Sequence, residues 1–306
     1  MTGFAAPWWR GARGGHVSML ACAVVLAAAP AGAYCRTHTC QVDDDCEVDD
    51  DGCYVGGVPL YWPRRCISSS VHELGSPLRG ITPDAAEAAL AVAYSTWTTS
   101  DCGEGKPPTM EVWPLERVSC DRVEGNRCDK NANIWVFRDD EWPYDDGGLT
   151  LALTTVHFDP ETGELIDADV EVNTAGYPIT VDDPGGRSQF IAISTHEIGH
   201  VFGLDHSPNP DATMYASYAR GRDISSLSPD DVAGLCAICP PDRDVGPCDP
   251  EPYNGFSAEC GTKECSPSGG CCATTPGRRV SGAGWLVVLG GLSLAVWRAR
   301  SRRRSR

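Results

Sequence analysis

Residues 196–206 read His-Glu-Ile-Gly-His-Val-Phe-Gly-Leu-Asp-His, and the rest of the chain is interpreted outward from this stretch. An apolar-periodic segment at 189–202 contains its first part and predicts a helix. Gly203 follows the last periodic residue, where a helix can end in a left-handed turn that other residues resist. The sequence therefore predicts that the helix ends at Gly203 and that the chain turns back after it.

Three histidines in this stretch are spaced as ligands of one metal ion. His196 and His200 are four residues apart, so they lie on one face of the helix. After the turn at Gly203, the chain can present His206 as a third ligand. Three protein ligands leave a fourth position for water, which is typical of a catalytic zinc. Glu197 adjoins the first ligand and could take a proton from that water and pass it to a leaving amine.

The surrounding residues 59–243 predict one domain of mixed secondary structure. Thr82 and Pro83 form a helix start, and apolar residues then recur at helical spacing over 83–98. A second start, Ser228-Pro229-Asp230-Asp231, opens a final helix that reaches about Cys236. Strand-like segments lie between the helices, and a turn at 160–163 makes the last two a hairpin: 109–113, 134–138, 150–158 and 165–173. Separate helices beside mixed strands indicate an α+β domain.

The complete pattern HExxHxxGxxH is the motif of the metzincin zinc peptidases. The chain resembles the matrixins, the branch that contains the matrix metalloproteinases, over roughly residues 60–239. Ser207 directly follows the third histidine, as in that branch, and Met214 resembles the Met-turn methionine that supports the metal from below. The resemblance implies a metzincin-like α+β fold, one catalytic zinc and hydrolysis of protein or peptide substrates. We expect a monomer.

Two other functions stay open at this point. One is a non-catalytic surface adhesin or peptide-binding module that retains the zinc site. Glu197 favours the enzyme over this module, because binding alone needs no general base. The other is an amidase that acts on cell-wall peptide with the same zinc chemistry, and the motif alone does not separate it from an endopeptidase.

The resemblance has one clear departure in the segment before the active-site helix. Animal matrixins hold a structural zinc in a histidine-rich loop. The corresponding segment of this chain contains one histidine, His157, so a second zinc is not predicted. Carboxylates at the hairpin could supply oxygens to a structural calcium ion. A charged hairpin surface is the alternative interpretation. The carboxylates are those of Asp159, Glu161, Asp167 and Asp169.

The distribution of charge excludes one class of partner. The formal net charge is −17, and the segments 1–33 and 273–306 contain ten basic and no acidic residues. Removing those ten positive charges from −17 leaves −27 for the remainder. Such an acidic surface repels phosphate backbones, so no nucleic-acid partner is expected.

Both ends of the chain resemble targeting segments. Residues 1–33 carry two arginines, an apolar run and a small-residue cleavage site, which predicts a secretory signal peptide; lipidation at Cys22 is the alternative. Residues 273–306 contain an uncharged run at 280–297 followed by arginines. With Cys271 and Cys272 before it, this tail resembles the myxobacterial C-terminal sorting tail, which implies cleavage and lipid anchoring at the cell surface. A single membrane span is the alternative.

Export would place the cysteines in an oxidising compartment, where they form disulfides. The sequence contains 16 cysteines, and 15 remain after the predicted signal peptide. Two Cys-rich segments flank the domain, an acidic one at 34–58 that we expect to be stapled to the domain after it, and a stalk at 244–272. The residues around Cys66 partly resemble the propeptide motif of the matrixins. A disulfide is the better explanation for a cysteine at this position.

Overall fold

The structure is a computed structural model, and it describes residues 34–40, 46–125, 127–144, 150–181, 189–217, 225–261 and 287–289. The predicted signal peptide and the tail cysteines Cys271 and Cys272 lie outside these residues. Only 287–289 of the uncharged run at 280–297 is described. Within the described part of the chain, no helix is long and apolar enough to cross a membrane.

The described residues form strands and helices in the following order: β1 Cys35–Arg36, β2 Glu47–Val48, β3 Tyr54–Val55, β4 Cys66–Val71, α1 Pro83–Thr98, β5 Glu111–Pro114, β6 Ile134–Phe137, β7 Ala152–Phe158, β8 Leu165–Val172, α2 Phe190–Val201, β9 Leu204–Asp205, α3 Pro229–Ile238 and β10 Val287–Leu289. Helix α1 has the bounds that the sequence predicts, and Thr82 caps it by accepting the N–H of Ala85. The mixture of separate helices and strands confirms the α+β class.

One mixed sheet forms the framework of the domain. Its strand order is β10-β7-β8-β6-β4-β5 within the described residues. Strands β8, β6, β4 and β5 are parallel to one another, whereas β7 runs antiparallel to β8 and β10 antiparallel to β7. The predicted hairpin is therefore confirmed as β7–β8. The sequence analysis did not predict strand β4, which lies between β5 and β6.

Helix α2 is buried between the sheet and the first helix. It packs against α1 and β7, and nearly all of its residues are inaccessible to solvent. Two indoles anchor it, because Trp97 donates to the carbonyl of Thr195 at 2.8 Å and Trp62 donates to that of Val201 at 2.7 Å. A buried tryptophan N–H normally requires such a partner. These bonds fix α2 in position near its middle and at its last residue.

The N-terminal Cys-rich segment is joined to the domain by backbone pairing. Its disulfides, Cys35–Cys53 and Cys40–Cys46, are both internal, so the expected covalent staple to the following domain is wrong. Strand β1 instead pairs antiparallel with β9, which directly precedes His206. The segment therefore supports the part of the chain that delivers the third histidine.

Long-range disulfides tie the C-terminal segment and the last helix to the domain. The bonds are Cys66–Cys248, Cys120–Cys260 and Cys102–Cys236. The prediction that Cys66 forms a disulfide is confirmed. Cys239 is a free and buried thiol among the described cysteines. Cys236 and Cys239 have the Cys-x-x-Cys spacing that is found in some redox pairs. Cys236 forms its disulfide with Cys102, so these two cysteines are not a redox pair.

Candidate metal centre

The predicted helix end at Gly203 is confirmed, and its geometry explains the glycine. Helix α2 ends at Val201, and Gly203 has φ +99°, in the left-handed region that disfavours side chains. A Cβ atom there would also lie 3.1 Å from the carbonyl oxygen of Leu60. Both constraints require glycine at the point where the chain reverses into β9.

The three predicted histidines come together at one point. One ring nitrogen from each of His196, His200 and His206 lies within 4.8 Å of the others. The Nε2 atoms of His196 and His206 are 3.3 Å apart. His196 and His200 are fully buried, and His206 is partly buried. The structure thus brings together the residues that the spacing singled out.

Backbone carbonyls orient two of the rings. The Nδ1 atom of His196 donates to the carbonyl of Thr213 at 2.6 Å, and that of His200 donates to the carbonyl of Leu204 at 2.9 Å. A carbonyl oxygen can only accept, so each Nδ1 carries the proton and each Nε2 presents its lone pair. Buried ligating histidines are commonly held by such second partners.

All three imidazoles are neutral around pH 7. Burial lowers the pKa of His196 well below its usual value, and the neighbouring histidines lower it further. Burial lowers the pKa of His200 to about 4. Burial and then His200 lower the pKa of His206 to about 3. Neutral imidazole is the form that binds metal ions.

These donors fit a zinc ion. Tetrahedral zinc with Zn–N bonds of about 2.0–2.1 Å places two ligand nitrogens roughly 3.3–3.4 Å apart. The distance between the Nε2 atoms of His196 and His206, 3.3 Å, agrees with this spacing. The Nε2 atom of His200 is buried without a hydrogen-bond partner among the described residues. A buried polar atom of this kind is costly unless a ligand satisfies it.

Met214 lies directly beneath the active-site helix. It is buried, and a Cβ atom on Gly199 would approach its sulfur to 2.1 Å. A side chain at Gly199, the glycine inside the HExxH stretch, would therefore displace the methionine from the position it has here. The loop that carries Met214 closes on itself, since its carbonyl accepts the N–H of Ser207 at 2.9 Å. Met214 thus packs against the helix that carries His196 and His200, and its support of a bound metal stays a prediction.

Asp231 fixes the methionine loop, a role that the sequence analysis missed. Its buried carboxylate accepts the backbone N–H groups of Thr213 at 2.8 Å and of Met214 at 2.9 Å. It also accepts from Ser228 in the capping box of α3. Because the carbonyl of Thr213 orients His196, Asp231 acts on the histidine cluster through one intervening residue.

Replacing Asp231 with alanine is expected to lower the free energy of unfolding by about 2–6 kcal/mol. Two buried backbone N–H groups would lose their acceptor, and each such loss costs about 1–3 kcal/mol. Asp230→Ala is the matched control. Asp230 neighbours Asp231, but among the described residues its carboxylate accepts only from the Ser207 hydroxyl. Urea unfolding of both variants measures the difference. Equal losses would contradict the assigned role.

The structure does not support a calcium site formed by the four hairpin carboxylates. Asp159 closes the turn by accepting the N–H groups of Glu161 and Thr162. Asp169 accepts from two backbone N–H groups of other segments, while Asp167 lies fully buried in β8. Among the described residues, the clusters of three ligand atoms within 4.8 Å of one another contain none of these carboxylates. The four carboxylates have separate structural partners among the described residues, and a calcium ion bound by them stays a prediction.

Asp167 and Asp169 instead form a buried acidic pair on the face of the hairpin that lies away from α2. Burial raises the pKa of Asp167 well above its usual value. Burial and repulsion by Asp167 raise the pKa of Asp169 in the same direction. The nitrogen Nδ1 of His157 lies 3.7 Å from Asp167, and burial lowers the pKa of this histidine, which favours a neutral ring. The Asp167 oxygens have no hydrogen-bond partner among the described residues.

Asp167→Asn is therefore expected to stabilise the protein near neutral pH, by about 1–3 kcal/mol. A raised carboxyl pKa in the folded state gives stability that is full below about pH 4, where aspartate titrates in the unfolded chain. This stability is lost as the pH rises through the folded pKa, so the advantage of the asparagine appears only above about pH 4. Thermal unfolding from pH 3 to 8 with chelator, with exposed Asp140→Asn as the control, measures it. A stability loss at pH 7 would contradict the prediction.

Three neutral imidazoles cluster beside a buried glutamate, and the helix that carries two of them packs on a mixed sheet. This combination is that of an α+β metzincin-like fold. Residues 130–239 match the model of the Matrixin family. This match covers strands β6, β7 and β8, helix α2, the three histidines, the methionine loop and α3. The matched region is thus similar to the matrixins over 110 of the 306 residues of the chain.

Individual relatives agree with this assignment. Matrilysin of Felis catus is 37% identical over 94 residues, which are 30% of this chain and 33% of that protein. Metalloendoproteinase 1-MMP of Arabidopsis thaliana is 36% identical over 106 residues, 33% of this chain and 27% of that protein. Matrix metalloproteinase-C of Caenorhabditis elegans is 26% identical over 190 residues, 60% of this chain and 29% of that protein. The chain thus matches about a third or less of the length of these relatives.

Proposed function

We propose that this protein is a zinc-dependent metalloendopeptidase that acts as a monomer on protein or peptide substrates. The observation that carries the proposal is the convergence of His196, His200 and His206 next to the buried carboxylate of Glu197. The similarity to proteins named matrilysin, metalloendoproteinase and matrix metalloproteinase supports the proposal. A binding module would need the histidines but not the glutamate.

In this proposal, the three histidines hold one zinc ion through their Nε2 atoms. When bound, zinc polarises a substrate carbonyl and makes a water molecule more acidic. Glu197 lies beside the first ligand and accepts the proton of the attacking water. It then donates this proton to the leaving amine, which completes the hydrolysis of the peptide bond. The buried helix α2 keeps the base and the ligands in a fixed relation to one another.

We further propose that the protein is exported and attached to a bacterial surface, at the outer membrane or cell exterior. The five disulfides between described cysteines support export, since such bonds persist in oxidising compartments. The pattern of residues 1–33 supports cleavage of a signal peptide. The tail, with Cys271 and Cys272, supports anchoring by lipid or by a membrane span.

The proposal is tested with the full chain, produced by export so that its disulfides form and then loaded with zinc. The substrate is a denatured protein, and mass spectrometry of the products identifies the cleaved bonds. Purified cell-wall peptide is the parallel substrate. We expect cleavage at internal peptide bonds, abolished by a chelator and restored by zinc.

The outcomes separate the three candidate functions. Internal cleavage of the denatured protein supports the endopeptidase. Cleavage of cell-wall peptide alone would overturn it in favour of an amidase. A folded, zinc-loaded protein that cleaves neither substrate would favour a binding module.

A further inference from the structure

The carboxylate of Glu197 has a buried partner on the neighbouring strand. The hydroxyl of Thr154 in β7 donates to Oε2 of Glu197 at 2.6 Å. The same hydroxyl lies 3.4 Å from the backbone carbonyl of Glu197, a much longer contact. Both side chains are fully buried. At 2.6 Å this bond is slightly shorter than the roughly 2.7–2.8 Å that is typical of hydrogen bonds between two oxygens.

The next residue along the strand provides an internal comparison. Successive side chains of a strand point to opposite faces of the sheet, so Thr154 faces α2 and Thr155 faces away from it. Thr155 is equally buried, but its hydroxyl has no hydrogen-bond partner among the described residues. The two threonines are therefore equally buried on opposite faces of the sheet, and Thr154 is the one that contacts Glu197.

We propose that Thr154 is a positioning residue for Glu197, an inference that rests on the proposed peptidase function. The hydroxyl engages one carboxylate oxygen, Oε2, and so fixes the side-chain conformation of the base. Proton exchange with water and with the leaving amine then falls to the other oxygen, Oε1. Thr154 contacts neither substrate nor metal ligand in this scheme, and its effect passes entirely through Glu197.

The test compares the full-length, zinc-loaded wild type with three variants. Thr154→Val removes the hydroxyl with little change of shape, Thr154→Ser retains a hydroxyl, and Thr155→Val is the matched control. We expect Thr154→Val to lower kcat about 10- to 100-fold, the usual cost of losing a partner that orients a catalytic group. The KM and the zinc affinity should stay close to those of Thr155→Val. Serine should restore most of kcat.

Each alternative result has a definite meaning. Equal kcat values for Thr154→Val and Thr155→Val, or equal losses in the valine and serine variants, would overturn the positioning role. Loss of zinc from Thr154→Val would overturn it too, because the effect would then pass through the metal site. If the valine variant fails to fold, Thr154→Ala replaces it. An inert wild type would instead overturn the proposed function, and the inference with it.

Discussion

Replacement of Glu197 by glutamine is expected to lower kcat by about 10²–10⁴-fold, the usual contribution of a positioned general base. Glutamine matches the shape of the carboxylate but cannot take a proton from water. The fold should persist, because Glu197 supports neither of the indole bonds that anchor α2. Hydrolysis of a fluorogenic peptide by wild type and variant measures the effect.

Zinc content is the control for this experiment. Glu197 is not one of the three clustered ligands, so Glu197→Gln and Glu197→Ala should both retain one zinc per chain. A variant that retains zinc and full activity would contradict the role of Glu197 as base. A variant that loses zinc would leave its low activity attributable to the metal, and would contradict the separation of roles.

Removal of His206 is expected to abolish both zinc binding and activity. Loss of a residue that only orients a metal ligand typically lowers the metal affinity about 10- to 100-fold. Loss of the ligand itself should therefore lower the zinc affinity more than about 100-fold. His206→Ala leaves two imidazoles on α2, which alone do not complete a catalytic zinc site. Competition with a chromophoric chelator measures the affinity.

His72→Ala is the matched control for His206→Ala. His72 lies at the end of β4, outside the three-histidine cluster, and its ring accepts only a backbone N–H at 3.4 Å among the described residues. This variant should bind zinc as wild type does. Wild-type zinc affinity in His206→Ala would contradict the assignment of the third ligand.

The parts of the site that depend on local signals could be predicted from the sequence. The four-residue spacing of His196 and His200 and the glycine at 203 depend on helix geometry, which a short window determines. The same is true of the cap at Thr82 that begins α1. Periodicity and turn residues likewise gave the β7–β8 hairpin within a few residues of its observed bounds.

Strand β4 illustrates what local signals omit. Its sequence, Cys-Ile-Ser-Ser-Ser-Val, contains three consecutive serines and has no alternation of polar and apolar residues. All three serines are nonetheless buried, and the amide of Asn133 donates to the backbone and hydroxyl of Ser68. The strand is thus stabilised by a partner 65 residues away, Asn133, which a window of six residues does not contain.

The supporting residues of the site were missed for the same reason. Asp231 was predicted as a favourable acid in the first turn of α3, which it is, but its contacts with the methionine loop lie 17 and 18 residues away. Thr154 and Thr155 are indistinguishable in the sequence until the strand register assigns each to a face. Of the hairpin carboxylates, Asp159 lies in the turn, whereas Asp167 and Asp169 are buried together on β8, and the sequence alone does not show this difference.

Titration of metal-depleted protein with zinc tests the central claim most directly. The initial rate of internal peptide-bond cleavage is recorded as zinc is added to the full-length, disulfide-bonded chain. The rate should rise linearly to one equivalent of zinc and then stay constant, while Glu197→Gln binds the same equivalent without gaining activity. A folded protein that binds one zinc and stays inert, or one that cleaves fully without zinc, would contradict the account.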